Sequence, residues 1–317
     1  MVSRGAPILV TGMTRSGTTW VANMLDASGS VVYVNEPLNP VHPPGRSPGL
    51  LRPPELHRYQ YICEENGPLW AEAYRDLLRL RYRPLLELRT NHTPGDFARG
   101  GRYTWNFLRG RLAGKRLLIA DPFAVFSAEW FSRKQNFQVV VLVRHPAAIV
   151  SSRKRLHWSA DFSELLAQPL LMNDLLAPFR PDIERLARED GDMLEEGAVL
   201  WRLIYYAVDQ LRRRVPEIIV VRHEDLSLDP LGRFAELYER LELPFGGKAQ
   251  RAIADATSAD NPSELTASQP HSFRLNSPAA VGRWRKHLNE EEIERIRSLT
   301  APVAKAFYSD FGSRDRF

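Results

Sequence analysis

The residues Pro7 to Trp20, PILVTGMTRSGTTW, constrain this chain more than any other stretch. A short apolar run, Ile8, Leu9 and Val10, meets a loop bounded by Gly12 and Gly17. Ser16, Thr18 and Thr19 lead into an apolar pattern with helical spacing. The order is strand, glycine-bounded loop, helix. Amides at a helix N-terminus aim at whatever lies in front of them, and the helix dipole favours an anion there. The two glycines have the spacing of the Walker A loop, G-x-x-x-x-G-K-[ST]. Thr18, however, stands where that loop has its lysine, and the cation sits inside the loop as Arg15. A cradle that lacks the lysine for a nucleoside triphosphate suits a different anionic donor.

Five short apolar runs read as buried parallel strands: Ile8–Thr11, Val31–Val34, Leu117–Ala120, Val139–Val143 and Ile218–Val221. Helical patterns at Thr18–Ala27, Phe123–Arg133, Ala147–Leu156, Glu195–Arg214 and Leu231–Leu241 alternate with them. This alternation predicts a three-layer α/β/α domain with a mainly parallel sheet, like that of the P-loop nucleotide-triphosphate hydrolases. With 317 residues the chain suits one such domain, 1–317, with insertions at about 40–115 and 157–195. The proline- and glycine-rich stretch Pro40–Pro54 reads as a long surface loop. Further helical signals occur at Trp70–Tyr82 and at Asn289–Leu299, where Asn289 and Glu292 have capping-box spacing. Arg99–Arg116 reads as a looser basic stretch. The single cysteine, Cys63, excludes an intramolecular disulfide, and no zinc spacing occurs. There is no signal-peptide pattern and no apolar run of membrane-spanning length, so a cytoplasmic protein is expected. The net charge of +5 is compatible with an anionic ligand, and Arg212-Arg213-Arg214 reads as a solvated helix end rather than a nucleic-acid patch.

In sheets of this type ligands bind outside the carboxyl ends of the strands. Each predicted strand is followed by polar residues: Arg15, Ser16, Thr18 and Thr19; then Asn35 and Glu36; then Asp121; then Arg144 and His145; then Arg222, His223 and Glu224. The fourth strand carries Arg144 at its tip, where a kinase or triphosphate hydrolase of this type has its magnesium aspartate. Ser152 lies two helical turns beyond. An arginine and a hydroxyl in that arrangement suit a second phosphate and not a metal.

The TRSGTTW loop and the later VLVRHPAAIVSSR segment together resemble the two nucleotide-binding signatures of sulfotransferases that use 3′-phosphoadenylyl sulfate (PAPS). Arg15, the R-x-P of the second motif and the run VVYVNEP are similar to the tyrosylprotein and carbohydrate branches. The resemblance implies that Arg15, Ser16, Gly17, Thr18 and Thr19 grip the 5′-phosphosulfate. It implies that Arg144 and Ser152 grip the 3′-phosphate. Glu36 is then the general base that takes the acceptor proton, and Arg15 stabilises the leaving phosphate. Trp20 serves either as core or as a wall under the nucleotide. No metal is required, and adenosine 3′,5′-bisphosphate is the product.

Three departures from the family pattern stand out. Ala120 replaces the lysine of the lysine-aspartate-proline-phenylalanine run, so Arg15 acts alone or Arg285 or Lys286 reaches in. His223 stands where the cytosolic enzymes place a tyrosine against adenine, and either stacks or serves structurally. The closing segment is VGRWRK, whose Arg283 or Arg285 is expected on the 3′-phosphate side. The acceptor pocket is expected from Pro40–Pro54, Trp70–Tyr82 and the region of His157, Trp158 and Phe162. His42 and His92 are further candidate contacts. A sugar or glycosylated small molecule is the expected acceptor, and a phenol or peptide tyrosine the alternative. A P-loop kinase and an inactive nucleotide-binding scaffold are the rival readings. No nucleic-acid partner is expected, and a homodimer is compatible with the sequence.

Overall fold

The computed structural model describes residues 5–40, 55–87, 92–189, 191–262, 274–309 and 311. The five apolar runs form five strands whose ends lie within one residue of those expected: β1 (Ile8–Gly12), β2 (Val31–Asn35), β3 (Arg116–Ala120), β4 (Gln138–Val143) and β5 (Ile219–Arg222). They pair in the order β2-β3-β1-β4-β5, and every pair is parallel. Side chains alternate across a strand. Leu9, Ile119, Val139 and Val141 therefore join one core, while Ile8, Val10, Leu118, Val140 and Leu142 join the other. The first core is covered by the helices Pro146–Arg155, Met193–Arg214 and Glu290–Ala304. The second is covered by Thr18–Asp26, Pro230–Arg240 and Gly247–Thr257. Three layers result, as the alternation of strands and helices predicts.

The chain leaves β1 for β2 at one edge, returns through β3, and then crosses to β4 on the other side of β1. The carboxyl end of β1 is thus the point where connections diverge and a crevice opens.

Several segments differ from the sequence expectation. Most of Arg99–Arg116 belongs to a regular helix, Pro94–Leu112, and its last residue starts β3. Its start is a capping box, with the Thr93 side chain accepting from the Asp96 amide and Asp96 accepting from the Thr93 amide. Phe123–Arg133 divides into a 3₁₀ segment, Pro122–Ser127, and a helix, Ala128–Gln135, because the Asp121 carboxylate caps the first turn through the Phe123 amide. The segment after Trp158 folds into short helices, Ser163–Leu166, Pro169–Asp174 and Arg180–Arg188. The aromatic stretch expected at the acceptor pocket is largely core. Trp70 and Tyr74 are buried in the helix Gly67–Leu78, and Tyr74 packs edge-on against Phe131 at 5.2 Å. Residues 41–54 of the proline-rich loop, with His42, lie outside the described residues. Among the described residues no helix is long and apolar enough to cross a membrane.

Candidate functional site

A cleft of about 990 Å³ opens at the carboxyl end of β1. Arg15, Gly17, Thr18, Thr19, Trp20, Glu36, Arg144, His223 and Arg283 line it together, although 268 positions separate the first from the last. The loop that starts it is held by two glycines at left-handed backbone angles. At Gly12 (φ 148°) a Cβ would stand 2.5 Å from the Leu142 carbonyl oxygen; at Gly17 (φ 103°) it would stand 2.7 Å from Cδ2 of His223. Both positions need the bare backbone. Gly17→Ala is expected to cost about 1–3 kcal/mol in a denaturant melt, because the ring it would strike is itself packed against Trp20 at 5.2 Å.

The loop turns on the Ser16 amide, which donates to the Met13 carbonyl at 3.0 Å. The first-turn amides of the helix Thr18–Asp26 belong to the set that a helix leaves without an internal partner. The Ser16 hydroxyl does not line the cleft. It is buried in the loop beside Gly12 and has no hydrogen-bond partner among the described residues.

Three arginines converge on this loop from three elements. Arg15 itself sits at φ 73° and donates from Nε to the Ser152 hydroxyl at 3.0 Å. Arg144, at the tip of β4, donates from Nη1 to the Arg15 carbonyl at 2.9 Å. Arg153, one residue beyond Ser152 on the helix Pro146–Arg155, is buried and donates to the Thr14 hydroxyl (3.2 Å) and the Ser159 carbonyl (2.8 Å). Among the described residues no carboxylate stands within ion-pair distance of any of the three. Burial, then repulsion from Arg144 and Arg155, pushes the Arg15 guanidinium down to about 10. Burial lowers Arg144 and Arg153 as well. Cations crowded in this way are relieved by an anion. The two anion sites read separately from the sequence are therefore one network, in which Ser152 is held by Arg15 and Arg144 holds the loop backbone.

Arg144 is buttressed from behind. Its carbonyl accepts from Trp201 Nε1 at 2.9 Å, and the Leu142 carbonyl accepts from the Tyr205 hydroxyl at 2.9 Å. Both aromatics belong to the long helix Met193–Arg214, which begins at the Asp192 N-cap.

Glu36 follows β2 and has φ 47°. Its amide donates to the Ala120 carbonyl (2.8 Å), and its carboxylate accepts from Asn39 Nδ2 (2.7 Å). The turn is clamped further by Asp121, which is completely buried. One carboxylate oxygen accepts from the Leu38 amide (2.6 Å) and the other from the Phe123 amide (2.9 Å), while its carbonyl accepts from the Thr11 hydroxyl (2.7 Å). Burial pushes the Asp121 carboxyl well up from its ordinary value.

His223 begins a short helix after β5 and contacts both Gly17 and Trp20, so it forms part of the cradle's floor. Its Nδ1 lies 3.3 Å from the Ser227 hydroxyl. Arg283 lines the cleft; Arg285 does not, and its guanidinium lies over the Trp284 ring at 4.2 Å. Trp284 in turn stacks on His145, with centroids 5.0 Å apart and planes 7° off parallel. This stack fastens the closing segment to the tip of β4. Burial, then Arg285 and Arg144, pushes His145 down to about 3 from 6.5. Between those values the unfolded chain binds a proton that the folded chain refuses. Stability therefore falls as pH drops through the window, by up to about 1.4 kcal/mol per pH unit from this group. His223, lowered by burial and Arg144, adds with the same sign. Replacing His145 with Phe, which keeps a ring in the stack, is expected to flatten the melting temperature against pH between pH 7 and pH 5.

The remaining wall comprises Tyr33, Asn35, Asn39, Arg58, Tyr59, Phe123, His157, Trp158, Asp161 and Phe162. Trp158 lies 5.8 Å from the Arg15 guanidinium, and the Tyr59 hydroxyl lies 2.8 Å from that of Thr14. Of the residues expected at the acceptor pocket, His157, Trp158 and Phe162 line the cleft; His92 and the helix Gly67–Leu78 do not. Arg153, Tyr59 and Tyr33 were not singled out from the sequence. Arg153 adjoins Ser152 in the motif, whereas nothing local marks the two tyrosines. Among the described residues no group of three or more His, Cys, Asp or Glu could hold a metal ion.

The fold and site together are a parallel sheet with a glycine-bounded loop and an arginine cluster at its carboxyl edge. The sequence model of the sulfotransferase family matches residues 7–247, and the chain belongs to that family. No match was found among curated proteins. Among solved structures, the chain is similar to the sulfotransferase domain from the curacin biosynthetic pathway, at 15% identity and a TM-score of 0.47 over 94% of this chain and 99% of that one. The sulfotransferase domain of the Synechococcus PCC 7002 olefin synthase gives 19% and 0.42 over 94% and 96%. Sulfotransferase STF9 from Mycobacterium avium gives 16% and 0.44 over 96% and 78%.

Proposed function

We propose that this protein transfers the sulfuryl group of PAPS to a hydroxyl and releases adenosine 3′,5′-bisphosphate. The observation that carries this reading is the set of three arginines, Arg15, Arg144 and Arg153, around one glycine-bounded loop with no carboxylate in ion-pair reach. The first-turn amides of the helix Thr18–Asp26 add neutral donors to the same cradle. Such a set fits a donor with phosphate at two places.

In this reading Thr18, Thr19 and the loop amides hold the 5′-phosphosulfate, and Arg144 and Arg283 face the 3′-phosphate. Trp20 and His223 floor the nucleotide side. Glu36 accepts the proton of the acceptor hydroxyl as its oxygen bonds to sulfur. The bond between sulfur and the bridging phosphate oxygen breaks, and Arg15 receives the charge that develops on that oxygen. Ala120 stands in place of a lysine, and neither Arg285, drawn onto Trp284, nor Lys286 lines the cleft, so this role falls to Arg15.

We infer a sugar or glycosylated small molecule as acceptor. The cleft lining combines the aromatic residues Tyr59, Trp158 and Phe162 with Asn35 and Asn39, a pairing that suits a ring carrying hydroxyls. Calorimetry tests the donor. Adenosine 3′,5′-bisphosphate is expected to bind with micromolar affinity or better and ATP–Mg²⁺ at least about tenfold more weakly; preference for ATP–Mg²⁺ would replace this reading with a kinase. A screen with labelled PAPS over sugars, phenols and tyrosine peptides tests the acceptor.

A further inference from the structure

The helix Pro94–Leu112 turns an apolar stripe to solvent. Phe97, Trp105, Leu108 and Leu112 are 50%, 58%, 48% and 80% exposed. At 100° per residue these four fall within a sector of about 80°. The core-facing residues Asp96, Gly100, Phe107 and Gly110 lie on the opposite side. The stripe is therefore separate from the face that seats the helix on the described core. Gly110 shows how closely the inner face is seated: a Cβ there would stand 2.1 Å from Val32 Cγ2 on β2. Leu85, on the short helix Pro84–Glu87 that packs against this one, is also exposed, at 76%.

Charge decides what covers the stripe. Arg102 and Arg109 flank it on one side and Arg111 on the other, all exposed. Arg102 and Arg109 have no carboxylate partner among the described residues. The helix carries one acidic residue, Asp96, which is buried in its cap and paired with Arg99. A second copy of the same face would set arginines against arginines. An anionic surface meets them with opposite charge. The stripe rises about 22 Å from Phe97 to Leu112, with Trp105 near its middle. Apolar and aromatic side chains edged by arginine are the combination by which a helix lies in the headgroup layer of a bilayer.

We propose that the outer face of Pro94–Leu112 docks this protein on a membrane surface bearing anionic lipid. The helix ends four residues before β3 begins, so it runs against the strands. Phe97 therefore lies towards the sheet edge where the cleft opens. The proposal is independent of the donor and acceptor readings, because none of these residues lines the cleft.

The test is co-sedimentation of the full chain with phosphatidylcholine vesicles, with and without phosphatidylglycerol. The chain is expected to sediment with the mixed vesicles, less so at high salt. Trp105→Glu combined with Leu112→Glu is expected to reduce bound protein at least about tenfold. Arg102→Gln with Arg109→Gln is expected to weaken only the dependence on anionic lipid. All four side chains are exposed, and unchanged thermal melts establish that the variants fold. Failure of the wild type to sediment with mixed vesicles overturns the proposal, as does equal sedimentation of the Trp105→Glu/Leu112→Glu variant. A dimer in analytical ultracentrifugation that the same double change dissociates assigns the face to a second copy and also overturns it.

Discussion

Glu36→Gln is expected to lower the turnover number by about 10²–10⁴-fold and to leave affinity for adenosine 3′,5′-bisphosphate within about twofold of wild type. The change is nearly isosteric. The amide of residue 36 still donates to the Ala120 carbonyl, and one side-chain oxygen remains for Asn39. The turn itself is held by Asp121 through Leu38 and does not depend on the charge at position 36. What is lost is a carboxylate able to take a proton from the acceptor hydroxyl. Single-turnover rates with pre-bound PAPS, beside calorimetry with the bisphosphate, separate the two quantities. Unchanged turnover would remove Glu36 from the base role, whereas a parallel loss of nucleotide affinity would make it part of the cradle.

Arg15→Ala is expected to impair both steps, with turnover down about 10²–10³-fold and nucleotide affinity down about tenfold or more. Arg15 is tied to Ser152 through Nε, carries Arg144 on its carbonyl, and lies beside the ring of Trp158. Its guanidinium is thus fixed before any anion arrives, which is the condition for electrostatic stabilisation without reorganisation. Arg15→Lys keeps the charge but loses the planar fork and the Nε bond. It is expected to recover binding more fully than rate. Equal recovery of both would mean that charge alone matters at this position and that the orientation imposed by Ser152 does not.

Much of this architecture is legible in the chain. The five strands could be read because a parallel sheet covered on both faces needs unbroken apolar runs, and β1, β3 and β4 have them. The loop could be read because Gly12 and Gly17 occupy backbone angles that other residues adopt only under strain. Other parts were less clear. Asp for Glu in the Thr93–Asp96 box made the following helix harder to see, and the arginines along it resembled a solvated stretch. Trp70 and Tyr74 carried the same composition whether they faced a ligand or the core, and packing against Phe131 decided for the core. Arg283 and Arg285 stand two residues apart in one basic segment, yet the stack of Trp284 on His145 turns one into the cleft and leaves the other over the indole.

By itself the sequence determined the kind of sheet, the glycine-bounded loop and the family, because these rest on local features: unbroken apolar runs, glycine at strained angles, and the order strand, loop, helix. Only the tertiary structure decided that Arg15 binds Ser152, that Arg144 binds the Arg15 carbonyl and Arg153 the neighbouring Thr14, that Asp121 clamps the turn bearing Glu36, and which aromatics wall the cleft. The reason is distance along the chain. Arg15 and Ser152 are 137 positions apart, and Leu38 and Asp121 are 83. Contacts of that span depend on how the strands are ordered in the sheet, and no local pattern records that order.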